Sequence, residues 1–145
     1  MEIYTIGFTK KTAAEFFESL KHHRVERLID VRVNNTSQLA AFAKRDDLTY
    51  FLRELVGAEY VHEPLLAPTK ELLKAYRDGD VDWDSYEKAF LDLMAERRIE
   101  DGVSREVFHK RTVLLCSEPT PDRCHRRLVI EYLDHAWGGV EAVDL

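Results

Sequence analysis

The chain has little of several things, and each shortage excludes something. Its longest unbroken apolar run, Leu39 to Ala43, is far short of a membrane span, so a transmembrane helix is excluded. It holds only two cysteines, too few for a secreted disulfide scaffold. Met1-Glu2-Ile3-Tyr4 lacks the basic start and long apolar stretch of a signal peptide, and the cysteine count makes a reduced cytoplasmic setting the expectation. Basic charge is not in excess either. Lys and Arg number 21 against 27 Asp and Glu, and the net charge of −6 argues against a general nucleic-acid coat protein. No repeat, low-complexity tract or Gly/Ser linker divides the 145 residues, which predicts one continuous domain over 1–145. What is present is ordinary globular composition, 45% hydrophobic and 33% charged, enough to build a core.

Alternation and turn chemistry predict the elements. Glu2 to Ile6 alternates polar and apolar as a first strand, ended by Gly7. Thr12-Ala13-Ala14-Glu15 has the form of a capping box, and Phe16, Phe17 and Leu20 give the following helix its apolar face. Arg27 to Arg32 reads as a second strand, at the spacing of a right-handed βαβ unit. A helix is expected from about Asp47 through Val56, stopped by Gly57, then a third strand over Glu59 to His62. Two helical patterns lie between Thr69 and Arg98, the second with Asp82 as N-cap. Thr112 to Cys116 is a nearly continuous run of β-formers, as a strand covered on both faces requires. Asp122 is the expected cap of the next helix, and Val140 to Val143 the last strand. The sum is an α/β domain with a mostly parallel sheet of about five strands.

Ligands of such sheets bind beyond the carboxyl ends of the strands. That rule selects Gly7, Phe8 and Thr9 after the first strand, Asp30 and Arg32 at the second, and His62 and Glu63 at the third. It also selects Cys116 and Glu118, with Cys124, His125 and Arg126 opening the helix beyond them. This last group is the densest reactive cluster in the chain. A helix start beside a histidine and arginines favours an anion or a thiolate. Glu118 or Asp30 is the candidate acid or base, Cys116 or Cys124 the candidate nucleophile. Arg32 and Arg126 are candidate anion clamps, with Gly7, Thr9 and His125 as further ligand contacts.

Each reading has a plainer rival. Either cysteine can be a small core residue, and Asp30 with Arg32, or Glu118 with Arg126, can be an ion pair pinning the turn. A phosphatase-type loop is excluded, because Arg123 comes one place late after Cys116. Zinc is disfavoured by the lack of a paired CxxC and of an obvious fourth ligand, so no metal site and no cofactor are expected. A transient Cys116–Cys124 redox pair across the turn is geometrically conceivable.

At these residues the chain resembles the bacterial and archaeal domain-of-unknown-function family 488. The pieces that carry the resemblance are Tyr4-Thr5-Ile6-Gly7, Asp30-Val31-Arg32, Leu115-Cys116-Ser117-Glu118 and Cys124-His125-Arg126. The late Cys-x-Glu and Cys-His-Arg elements are the specific ones. The resemblance implies an α/β fold with a site built from those motifs, and no established reaction. Three departures surround that site. Phe8 and Thr9 stand where the family usually has His and Ser. Val33 to Gln38 lacks the usual basic stretch, and Leu65 to Thr69 replaces a glycine-rich one.

The leading expectation is a small-ligand site at the carboxyl edge, anionic or nucleotide-like in preference and catalytic in use. The alternative is a non-catalytic module that binds nucleic acid or protein through His109-Lys110-Arg111, Arg123 to Arg127, or Glu96-Arg97-Arg98. A third, plainer outcome is a buried structural network of Asp30, Arg32, Glu118 and Arg126. Membrane partners are not expected.

Overall fold

The computed structural model describes residues 1–118 and 121–145. Five strands form one sheet in the order β3-β2-β4-β1-β5, and every pairing is parallel. The strands are β1 (Glu2–Gly7), β2 (Arg27–Asp30), β3 (Glu59–His62), β4 (Thr112–Cys116) and β5 (Glu141–Asp144). The helices between them are α1 (Ala13–His22), α2 (Arg45–Phe51), α3 (Lys70–Arg77), α4 (Trp83–Arg97), α5 (Ile99–Gly102) and α6 (His125–Trp137). The α/β class and the five-strand parallel sheet therefore stand as the pattern of the sequence predicts.

β4 lies between β2 and β1, and all five of its residues are buried. Its side chains serve two cores in alternation, as a period of two demands. Val113 and Leu115 pack with Phe16, Phe17 and Leu20 of α1 and with Leu48 of α2. Leu114 and Cys116 pack on the other face with Phe90 and Met94 of α4 and Leu128, Val129 and Leu133 of α6. Fully burying each such large apolar side chain contributes roughly 1.5–3 kcal/mol. A parallel sheet with helices on both faces needs apolar residues at consecutive positions, which is why this strand shows no polar alternation.

The connections put the site in place. The chain leaves β1 toward β2 by way of α1 and leaves β4 toward β5 by way of α6, in opposite directions and on opposite faces. The strand order therefore reverses beside β4, the point where a crevice opens at the carboxyl ends.

The capping box is present: the Glu15 amide donates to Thr12 Oγ1 (3.0 Å), and Glu15 Oε1 accepts from the Thr12 amide (3.2 Å). Asp82 caps α4 through the Ser85 amide at 2.8 Å. Two boundaries differ from expectation. The helix placed near Asp47 starts at Arg45, and its last stretch, Leu52–Val56, is wound as a wider π turn before Gly57 at φ 77°. Asp122 does not cap α6. A turn closed by the Cys124 amide on the Pro121 carbonyl (3.2 Å) delays the helix to His125, so Cys124 holds the N-cap position and Asp122 is exposed.

Candidate functional site

β4 ends on Cys116 at the α6 face, and the turn returns to set Cys124 and His125 against it. Cys116 Sγ lies 3.6 Å from His125 Nδ1 and 3.8 Å from Nε2. One donor atom from each of Cys116, Cys124 and His125 falls within 4.8 Å of the other two, and all three residues are buried. His125 Nε2 donates to the Val31 carbonyl at 2.6 Å. A carbonyl only accepts, so the proton sits on Nε2 and Nδ1 carries the free lone pair. The ring of Phe90 packs on the imidazole at 5.6 Å between centroids.

The two thiols are pushed apart in acidity. A hydrogen bond from the Cys124 thiol holds Cys116 below the ordinary cysteine range, helped by the Ser117 and Glu118 amides and the Arg126 guanidinium, against the effect of burial. Burial pushes Cys124 well up, and its bond to Cys116 acts in the same direction. Burial also lowers His125, which favours the neutral imidazole. One thiol is thus made more acidic than an ordinary cysteine and the other less.

Arg126 is 1% exposed, although it stands in the first turn of α6. Its Nη1 donates to the Glu118 carbonyl (2.7 Å) and to Cys124 Sγ (3.6 Å), and its Nε has no partner among the described residues. Among the described residues no carboxylate pairs with it. In place of a Glu118–Arg126 ion pair, the plainer alternative, Arg126 bonds to the backbone of Glu118, whose side chain is exposed. Glycine at position 7 makes the turn possible. A Cβ there would meet the Glu118 carbonyl oxygen at 1.6 Å and Arg126 Nη1 at 3.1 Å. Thr9 secures the same turn, its amide donating to the Ser117 carbonyl at 3.1 Å. Gly7 and Thr9, selected as ligand contacts, sit here as parts of the wall.

The plainer reading describes Asp30 and Arg32. Arg32 donates from Nε to Asp30 Oδ1 (2.8 Å) and from Nη2 to Oδ2 (2.9 Å), and the Arg32 amide adds 3.0 Å to Oδ1. Both side chains are buried, at 2% and 0% exposure. Tyr60 donates its hydroxyl to Asp30 Oδ2, and burial followed by that bond raises the phenol far above its usual range. The guanidinium of Arg32 thus faces a carboxylate of its own chain. The Phe8 ring lies 5.4 Å from it, a cation–π contact at the position where the resemblance leads one to expect histidine. Tyr60 and the Val31 carbonyl were not selected from the sequence. The parallel register that brings β3 beside β2 is what places Tyr60, and no local motif signals it. His62 Nε2 donates to the Arg32 carbonyl at 3.1 Å.

A cavity of about 620 Å³ opens beyond β2, between the 33–36 loop and Lys70, Leu73, Lys74, Arg77 and Asp78. The Cys–His cluster does not line it. The two features share the segment that runs from Val31, whose carbonyl holds His125, into the loop.

The profile of the family described as domain of unknown function DUF488 matches residues 12–133. The chain belongs to the DUF488 family. Asp30-Val31-Arg32, Leu115 to Glu118 and Cys124-His125-Arg126 fall inside the match, and Tyr4 to Gly7 lies before it. No curated protein and no solved structure matched the chain.

Proposed function

We propose that the carboxyl edge of this DUF488 sheet is a catalytic site for a small anionic ligand, phosphate- or nucleotide-like. Arg126 is its anion-facing cation, the Cys116–Cys124–His125 cluster its reactive part, and Glu118, exposed on the same turn, its acid or base. The observation that carries this reading is the burial of Arg126 with no carboxylate paired to it among the described residues. A buried guanidinium that faces, among the described residues, a carbonyl and a sulfur is a costly arrangement, and an incoming anion offsets that cost. The neighbouring cavity supports the same preference. Lys74 there pairs with Asp78, and Lys70 and Arg77 add further positive charge at the lining. Its volume suits a small ligand.

Inorganic phosphate and nucleoside monophosphates, titrated separately while the melting temperature is followed, test this. A ligand at about a hundred times its Kd adds about 2.7 kcal/mol to stability. The expected result is a concentration-dependent rise that weakens in Arg126→Lys, which keeps the charge and loses the fork. If none of these anions shifts the wild-type protein, the anion site is wrong.

The rival reading, a module that binds nucleic acid through basic clusters, has less charge to work with than the sequence suggests. Arg97 donates to the carbonyls of Pro64, Leu65 and Ala67, and Arg98 pairs with Asp101. Arg127 pairs with Glu131, and Arg126 is buried. A salt-titrated shift assay with short DNA and RNA separates the two readings. Binding at low salt that collapses as salt rises favours the module.

A further inference from the structure

We propose that Cys116, Cys124 and His125 are three ligands of a divalent cation of the zinc class, with a fourth position left for water or the anionic ligand. This deepens the anion-site reading and rests on it only for the occupant of that fourth position. The argument begins with distance. Bonds of about 2.3 Å to sulfur and about 2.0 Å to nitrogen, at a tetrahedral angle, separate S and N by about 3.5 Å. Cys116 Sγ and His125 Nδ1 stand 3.6 Å apart, and the Cys124 donor completes a set within 4.8 Å. The second point is the tautomer. A ligating imidazole needs its other nitrogen held by an acceptor, and the Val31 carbonyl holds Nε2 at 2.6 Å, which leaves Nδ1 as the nitrogen free to ligate.

Charge is the third point. Two thiolates neutralise a divalent cation, and Arg126 then stays as an unmatched positive charge whose Nη1 donates to Cys124 Sγ. That residue of positive charge favours a hydroxide or a substrate anion at the fourth position. A site with three protein ligands and one open place is the arrangement of catalytic zinc, and two sulfurs with one imidazole is one of its known ligand sets. The absence of a CxxC pair is no obstacle here. One sulfur comes from a strand end and the other from a helix cap, and the sheet brings them together.

The test uses the full-length, reduced, chelator-treated protein and Co²⁺ as a visible probe. The expected result is binding at one equivalent, with sulfur-to-cobalt charge transfer and the strong visible bands of tetrahedral coordination. Those signals disappear in Cys116→Ser and Cys124→Ser and persist in Glu118→Gln. A parallel measurement needs no variant: Zn²⁺ protects both cysteines of the wild-type protein from alkylation, and a chelator removes the protection. No stoichiometric binding, bands that survive both serine variants, or unprotected thiols in the presence of Zn²⁺ would each overturn the site. So would a disulfide between the two sulfurs in protein isolated under reducing conditions. Phosphate titration of the metal-free protein keeps the two readings apart. Phosphate binding without Co²⁺ binding removes the metal and leaves the anion site. Co²⁺ binding with no response to any anion, metal-free or loaded, removes the anion site and leaves the metal.

Discussion

At the scale of single residues, the same chemical type plays opposite parts on this edge of the sheet. Asp30 and Glu118 are both carboxylates at strand ends, yet one is sealed under Arg32 and Tyr60 and the other reaches solvent. Removing one partner of a buried pair leaves a charge uncompensated, so Asp30→Asn is expected to cost about 3–5 kcal/mol. Glu118→Gln is expected to stay within about 0.5 kcal/mol of wild type, as exposed positions do. Urea midpoints of the two variants check this, and a large loss in Glu118→Gln would revive the four-residue structural network. The sequence made the positions legible, because strand ends and helix starts can be read from patterning. It did not make their partners legible. Tyr60 finds Asp30 only through a strand pairing thirty residues distant along the chain.

At the scale of elements, caps were legible where side chain and amide are neighbours and illegible where the chain must first turn. Thr12 and Glu15 satisfy each other locally, so their spacing was enough. Thr12→Ala is expected to lose about 1 kcal/mol. The Thr12 amide and hydroxyl hold Glu15 below the usual carboxylate range, so the folded state favours its charged form. That contribution is full above the ordinary carboxylate pKa of about 4.3 and fades as pH falls through the lowered value. The melting temperatures of wild type and Glu15→Gln should therefore differ at neutral pH and converge in acid. A gap that is constant or widens toward low pH would contradict this. At α6 the same logic pointed to Asp122 and missed. The helix there starts where a turn closed on Pro121 releases it, and Cys124 occupies the cap without bonding through its side chain.

Across the whole molecule, order follows from β4. It is buried along its entire length, and β2 and β1 flank it, with β3 and β5 at the edges. Amides of β4 and β1 should exchange with solvent slowest, near the global unfolding limit, and those of β5 and β3 markedly faster. Native-state hydrogen exchange followed by mass spectrometry reads this order directly, and equal protection in β5 and β4 would refute it. The arrangement also explains where a site can form. Helices leave the sheet on opposite faces beside β4, so the crevice between their starts gathers residues from several loops.

Local chemistry was sufficient to determine the class of fold, the strands and their parallel sense, the caps with adjacent partners, and the neighbourhood of Cys116, Glu118, Cys124, His125 and Arg126. These depend on periodicity and on contacts within a turn, which a linear string records. Tertiary structure alone decided that Arg32 faces Asp30, that Arg126 is buried against the Glu118 carbonyl, and that two sulfurs and an imidazole share one small volume. Each of these depends on which strands become neighbours and which way a loop closes. That choice is made by burying two apolar faces of one sheet at once, and no short stretch of sequence carries it.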